Sequence, residues 1–94
     1  MSREIYLKTI NKWGERAQLE MAQEESTELA LAIRKFIRNQ NDETFDALSD
    51  EMADVEIMTE QIKFMFPEIE QKIYERKEIK LERLSRRVDN NSFE

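Results

Sequence analysis

The fold of this chain is decided by the stretch Gln23-Glu24-Glu25-Ser26-Thr27-Glu28-Leu29, which lies inside a long helix-forming run. One helix face of that run carries Ala22, Glu25, Leu29, Ala32, Ile33 and Phe36. Such spacing is typical of a core stripe, yet Glu25 stands in its middle and Glu28 at its edge. Because an uncompensated carboxylate in a core costs several kcal/mol, the stretch predicts a bound cation or a basic partner.

The composition predicts a single all-α domain. A chain of 94 residues has a thin core, which oligomerisation would supplement. The only glycine is Gly14 and the only proline is Pro67, so sheet turns have little room, and the abundant Glu, Lys, Arg, Leu and Ala favour helices. We therefore expect residues 1–88 to form a single domain, an oligomeric four-helix-type bundle whose N-terminal helix is short. A polar tail is expected over 89–94.

The absence of cysteine and histidine restricts the chemistry. Disulfides, thiol catalysis and histidine-based triads are excluded, and any metal site would have oxygen ligands, which favours Mg²⁺, Mn²⁺ or Ca²⁺. The net charge of −6 argues against duplex nucleic acid or an anionic membrane as the main partner. Without a long apolar run or a signal sequence, the chain is predicted to be cytoplasmic.

Four helices can be delimited from the apolar periodicity and the breaks. We predict the first over 3–13 after an N-cap at Ser2, the second over about 15–39, the third over about 43–65, and a fourth that starts at Pro67. Gly14 is expected to separate the first two. The apolar stripe of the third helix is predicted to contain Phe45, Leu48, Met52, Val55, Thr59, Ile62 and Phe66. The apolar line of the fourth helix is interrupted by Lys77.

A second acidic pair, Glu51 and Asp54, stands one helical turn apart on the predicted third helix. If the two acidic turns lie on facing helices, they present four or five carboxylates to one space, an oxygen cage suited to one or more Mg²⁺ ions. Lys77 at the same level would complete one polar pocket in the bundle. The alternative is that the acids form only a solvated surface.

Three segments carry a family resemblance: Trp13-Gly14-x-x-x-Gln18, Glu24-Glu25-Ser26-Thr27-Glu28-Leu29 and Glu51-Met52-Ala53-Asp54-Val55. Together they resemble the MazG-like branch of the all-α nucleoside triphosphate pyrophosphohydrolases, whose signature is EExxE followed by ExxD. The resemblance extends from Trp13 to about Arg87. The run Lys77-x-x-Lys80-x-x-Arg83 looks like the basic segment of that family's last helix.

The resemblance implies a reaction, in which a nucleoside triphosphate and water give the monophosphate and pyrophosphate. It also implies dependence on Mg²⁺, with Mn²⁺ as a possible substitute, and a homodimer or homotetramer. The implied metal ligands are Glu25, Glu28, Glu51 and Asp54, and Glu24 would be a further ligand or would orient the attacking water. Glu24, Glu25 and Glu28 are thus the implied catalytic residues. Lys77, Lys80 and Arg83 would contact the triphosphate, whereas Trp13 could stack on the base and Gln18 could bind an edge of the base.

Several of these residues have simpler interpretations. Trp13 could belong to the core or an interface, and Gln18 could be an ordinary exposed side chain. Lys77 could extend past the core to solvent, and Arg83 could stabilise a helix C-terminus. For the whole protein, the alternatives are a non-catalytic helical oligomerisation or interaction module and a relative that binds nucleotide without hydrolysing it. The preferred base and sugar are left open, as is the choice between removal of noncanonical nucleotides and control of normal pools.

Overall fold

The computed structural model describes residues 2–90, which form four helices and no strand. The helices are α1 (Ser2–Trp13), α2 (Glu15–Arg38), α3 (Asp42–Met65) and α4 (Ile69–Asp89). The prediction of an all-α bundle with a short first helix is confirmed. Within the described range, no helix combines the length and the apolarity needed to cross a bilayer. Residues 91–94 of the predicted tail lie outside the described residues.

Local sequence sets the breaks between the helices. Gly14 adopts φ 89° and ψ 160°, a conformation open almost only to glycine, and ends α1. Asn41 caps α3, because its Oδ1 accepts a hydrogen bond from the Thr44 N–H at 2.9 Å. In turn, the Asn41 N–H donates a hydrogen bond to Thr44 Oγ1. Both breaks follow the sequence-based prediction.

The predicted start of the fourth helix at Pro67 is wrong by two residues. Phe66 still donates its N–H to the carbonyl of Ile62 at the end of α3. The chain then turns through Pro67 and Glu68, and the first N–H of α4, that of Ile69, bonds the Phe66 carbonyl at 2.9 Å. Pro67 therefore belongs to the turn. Ser2, predicted as an N-cap, is the first residue of α1.

The core lies mainly between α2 and α3. The inward face of α2 follows the predicted stripe except at Ile33, which is exposed. It consists of Gln18, Ala22, Glu25, Leu29, Ala32 and Phe36, all buried or half-buried. The inward face of α3 is rotated from the predicted one and consists of Leu48, Glu51, Val55, Met58, Gln61 and Met65. Phe45, Met52 and Thr59, predicted to lie on the apolar stripe, are exposed. Glu51, expected beside the stripe, therefore lies within the face that packs on α2.

The outer helices pack very differently. α1 is anchored by Tyr6, which is buried and donates a hydrogen bond from its hydroxyl to Glu60 Oε1 of α3 at 2.9 Å. The Tyr6 ring also packs against Phe64 with a centroid separation of 6.2 Å. α4 has no buried residue, and it extends away from the α2–α3 pair instead of packing along it. The acidic turns of α2 and α3 are consequently not covered by α4.

Candidate metal centre

The inward faces of α2 and α3 bring three carboxylates together. Glu25 comes from α2, and Glu51 and Asp54 come from consecutive turns of α3. One carboxylate oxygen from each lies within 4.8 Å of the other two. Glu25 and Glu51 are half-buried, whereas Asp54 is exposed, so the cluster opens to solvent on one side. The predicted approach of the EExxE and ExxD turns is present within a single chain.

Burial, together with repulsion between neighbouring carboxylates, raises two carboxyl pKa values in this cluster. Burial is the largest cause of the raised pKa of Glu25, followed by a hydrogen bond to Asp54 and the charges of Asp54, Glu51 and Glu28. Burial also leads for the raised pKa of Glu51, followed by the charges of Asp54, Glu28 and Asp50. All the charges that shift these two groups are negative. The cluster therefore holds a proton more tightly than ordinary carboxyls do, as expected where positive charge is lacking.

The donor set fits a hard divalent cation. Glu51 Oε2 is buried and has no hydrogen-bond partner among the described residues, an arrangement that is costly for a carboxylate oxygen. Mg²⁺ binds oxygen at about 2.1 Å, which puts neighbouring ligand oxygens about 3 Å apart and opposite ones about 4 Å apart. Small side-chain rotations would bring the three oxygens to these separations. The cluster thus has the ligand type and spacing for Mg²⁺ or Mn²⁺.

The remaining two acids of the EExxE turn stand beside this cluster. Glu28 is exposed and lies outside the three-carboxylate group, but its charge contributes to the raised pKa values of both Glu25 and Glu51. Glu24 is exposed as well. Both line an open cleft of about 620 Å³ together with Gln23, Glu25 and Thr27. A substrate in this cleft would therefore have Glu25 in its wall and Glu24 and Glu28 at its rim.

The basic residues predicted to contact phosphate lie on a different surface. Lys77 and Lys80 line a groove of about 360 Å³ on α4 whose apolar floor includes Ile69 and Ile73. Arg83 is exposed further along the same helix. Because α4 extends away from the α2–α3 pair, one chain alone does not form the single polar pocket expected if Lys77 and the acids lay at one level.

Trp13 and Gln18 are placed in contrasting environments. Trp13 is 54 % exposed at the end of α1, with Lys12 Nζ 5.5 Å from its ring centroid. Gln18 is only 2 % exposed, so it is not an ordinary solvated helical glutamine. Its Nε2 is buried and has no hydrogen-bond partner among residues 2–90. Gln18 shares the inward face of α2 with Glu25, two turns away.

A buried glutamine on α3 escaped the sequence-based reading. Gln61 is 3 % exposed, and its Nε2 donates a hydrogen bond to Thr9 Oγ1 of α1. Glu25 and Asp54 also line a pocket of about 130 Å³ whose walls include Met21 and Met58. The series Glu51, Asp54, Met58, Gln61 and Met65 repeats at intervals of three and four residues, and this helical spacing was the available signal.

Comparisons of the chain with protein-family models, with curated proteins and with solved structures find no match.

Proposed function

We propose that this protein is a Mg²⁺-dependent nucleoside triphosphate pyrophosphohydrolase of the MazG-like type. The observation that carries the proposal is the approach of Glu25, Glu51 and Asp54 to within 4.8 Å of one another, with a buried oxygen of Glu51 lacking a partner. The three residues belong to the EExxE and ExxD segments on which the sequence resemblance rests. The resemblance supplies the reaction class, and the donor set supports its metal requirement.

The proposed roles follow from position. Glu25, Glu51 and Asp54 would hold Mg²⁺, and Glu28, whose charge contributes to the raised pKa values of Glu25 and Glu51, is the proposed fourth ligand. When bound, the ion would supply positive charge for the phosphate oxygens and lower the pKa of a coordinated water. Glu24, at the rim of the cleft, would orient the attacking water or accept its proton on a carboxylate oxygen. The acids would thereby perform both binding and proton transfer without histidine or cysteine.

The bond changes balance without a covalent enzyme intermediate. Water would form a bond to one of the two phosphorus atoms that flank the α–β bridging oxygen, and the bond from that phosphorus to the bridging oxygen would break. The products are the nucleoside monophosphate and pyrophosphate. Phosphoryl transfer depends mainly on positioning and charge stabilisation. Lys77, Lys80 and Arg83 would therefore stabilise the negative charge that develops on the triphosphate as the bond to the bridging oxygen breaks.

Product analysis by ³¹P NMR tests this proposal. Purified protein would be incubated with a panel of NTPs and dNTPs, with Mg²⁺ or with chelator. We expect monophosphate and pyrophosphate from at least one nucleotide, with turnover abolished by chelator and reduced more than about 100-fold by Glu25→Gln or Glu28→Gln. Glu56→Gln makes the same charge change at an exposed site of α3 and should retain activity. Diphosphate and phosphate as products would keep an enzyme but reject the family inference.

The second candidate is a non-catalytic helical oligomerisation module. It is favoured by the many exposed large apolar side chains, which include Ile37 at 58 %, Leu81 at 61 % and Val88 at 68 %. Such residues would form interfaces in an assembly. Absence of turnover of every nucleotide, together with a melting temperature that Mg²⁺ does not change, would select this module over the enzyme. Homo-oligomerisation is expected of both candidates, and cytoplasmic localisation remains a prediction.

A further inference from the structure

The fourth helix is amphipathic but has nothing to pack against in its own chain. Ile69 and Ile73 form the floor of its groove, while Leu81, Leu84 and Val88 continue the apolar side and are 52–68 % exposed. None of the residues of α4 is buried. A helix of this length gains most of its stability from packing an apolar face, so α4 requires a surface that its own chain does not supply.

The exposed area of the chain has the size of a subunit interface. The radius of gyration is 16.6 Å, compared with about 12 Å for a compact domain of this length. The accessible surface is 7967 Å², whereas a compact monomer of this mass exposes about 5,800 Å². The excess is about 2,200 Å² per chain and about 4,300 Å² for two chains, which falls within the total of about 2,000–5,000 Å² that obligate homodimers bury. A second copy of the chain is therefore sufficient to cover it.

Charge complementarity indicates where the second copy would bind. The α4 groove carries Lys72, Arg76, Lys77 and Lys80 beside its apolar floor. The acidic cleft on α2 is lined by Glu24, Glu25 and Glu28 and by no cation of the described chain. In residues 2–90 the one ion pair, Arg16–Glu20, lies on the surface of α2 and leaves these acids unpaired. Each surface thus carries the charge that the other lacks.

The register of the helices agrees with this pairing. Asp54 precedes Pro67 by as many residues as Lys80 follows it, and both helices rise about 1.5 Å per residue. An α4 lying antiparallel on α3 would therefore bring Lys80 to the level of Asp54. In its own chain, α4 is directed elsewhere by a short turn that is fixed by hydrogen bonds at Ile69 and Glu70. The same position is open to α4 of another copy.

We infer that α4 of a second copy packs on the α2–α3 pair and brings Lys77 and Lys80 to the acidic cluster, so that a complete site requires two chains. The exchange of a helix between identical chains is a low-cost route to a dimer. The role given to the two lysines rests on the proposed pyrophosphohydrolase function. The packing of α4 on a second copy is inferred independently, from the excess exposed area, the register of α3 and α4, and the complementary charges of the two surfaces.

Cross-linking tests the packing without reference to activity. Because the chain has no cysteine, Thr27→Cys beside the acids and Lys80→Cys on α4 introduce unique thiols into two separately tagged chains. After co-refolding, we expect a short bismaleimide to give about tenfold or more heterodimer than for the control Glu78→Cys, because docking raises the effective concentration of the thiols. Glu78 lies on the opposite side of α4 from the groove.

Arg76→Cys repeats the cross-linking test with both lysines intact. Equal cross-linking of the groove and control variants would overturn the inference, as would a product of monomer mass from chains that carry both Thr27→Cys and Lys80→Cys. The latter result would mean that α4 closes on its own chain. If the groove and control variants cross-link equally and only weakly, and the protein without cross-linker has the mass of a monomer in solution, α4 binds a different protein.

A mixing experiment tests the role of the two lysines. Chains with Glu51→Gln retain their lysines, and chains with Lys77→Glu and Lys80→Glu retain their acids. If each site combines the acids of one chain with the lysines of another, random mixing should restore about a quarter of the parent activity. No restoration would exclude a shared catalytic site. Specific cross-linking of the thiol variants, together with no turnover by the unmixed parent chain, would keep the exchange of α4 and reject the proposed function.

Discussion

Glu25 of α2 and Asp54 of α3 face each other across the helix interface, with carboxylate oxygens within 4.8 Å and a hydrogen bond contributing to the raised pKa of Glu25. Burial and the neighbouring negative charges disfavour the charged form of Glu25, so the ionised cluster opposes folding when no cation is bound. A cation in the cluster would offset this cost.

The first prediction concerns pH. A carboxyl with a raised pKa in the folded state binds protons more tightly there than in the unfolded chain, so stability increases as pH falls through the raised pKa values of Glu25 and Glu51. In chelator, the melting temperature should therefore rise between about pH 7.5 and about pH 5. Calorimetry at constant ionic strength measures this. The rise should disappear in a Glu25→Gln, Glu51→Gln double variant and persist in Glu56→Gln.

The second prediction concerns metal. Mg²⁺ at ten times its dissociation constant should stabilise the folded chain by about 1.4 kcal/mol. For a domain of this size, that corresponds to a rise in melting temperature of roughly 5–10 °C. Asp54→Asn should remove most of the rise, whereas Glu56→Gln should keep it. An equal shift in both variants would show that Mg²⁺ acts by general screening and not at the cluster.

The third prediction contrasts the two buried glutamines. Gln18 has an unpartnered Nε2, whereas Gln61 donates to Thr9 Oγ1. Gln18→Met removes a buried donor without an acceptor and should raise the free energy of unfolding by about 1 kcal/mol. Gln61→Met leaves Thr9 without its donor and should lower the free energy by about 1 kcal/mol. Urea denaturation measures both changes, and destabilisation by Gln18→Met would indicate an additional partner for that amide.

Substrate turnover gives Gln18 an independent test. If its amide contacts the nucleotide, as the resemblance implies, Gln18→Met should lower kcat/KM while the protein remains folded. Unchanged kcat/KM in that variant would restrict Gln18 to the packing between helices.

The fourth prediction concerns Gly14. Its φ of 89° and ψ of 160° are disfavoured for any residue with a Cβ, although no neighbouring atom lies within 4 Å of where that Cβ would stand. Gly14→Ala should therefore destabilise the protein through backbone strain alone, by about 1–3 kcal/mol. Urea denaturation of this variant gives the value. Stability equal to that of the parent would show that α1 and α2 can join through another backbone conformation.

The sequence was sufficient to predict the helices and the acidic cluster, because both depend on local spacing. Gly14 and Asn41 mark helix ends by their own conformational preferences, and Glu25 stands on the predicted face of α2. The position of α4 could not be predicted in this way. Its charges and apolar residues indicate which side is amphipathic, but not whether the covering surface belongs to the same chain.

The inward face of α3 was also predicted incorrectly, because the prediction relied on hydrophobicity alone. Phe45 and Met52 are large and apolar, so hydrophobicity alone assigned them to the core, whereas the face that packs on α2 contains Glu51 and Gln61. Polar residues such as Glu51 and Gln61 weaken the apolar periodicity from which an inward helix face is predicted. The prediction therefore fails at the positions that form the metal centre. Counting from Met58, the most buried apolar residue of α3, would have given the observed face.

The α2–α3 pairing also has a consequence for folding kinetics. These helices are adjacent in sequence, and contacts between neighbouring elements form early because little chain entropy is lost in closing the loop. The carboxylates of Glu25 and Asp54 therefore approach each other at an early stage, before α1 is bound through Tyr6. Their repulsion would then contribute to the folding barrier itself. We expect that refolding is faster when salt, acid or a divalent cation neutralises this pair, with little change in the unfolding rate.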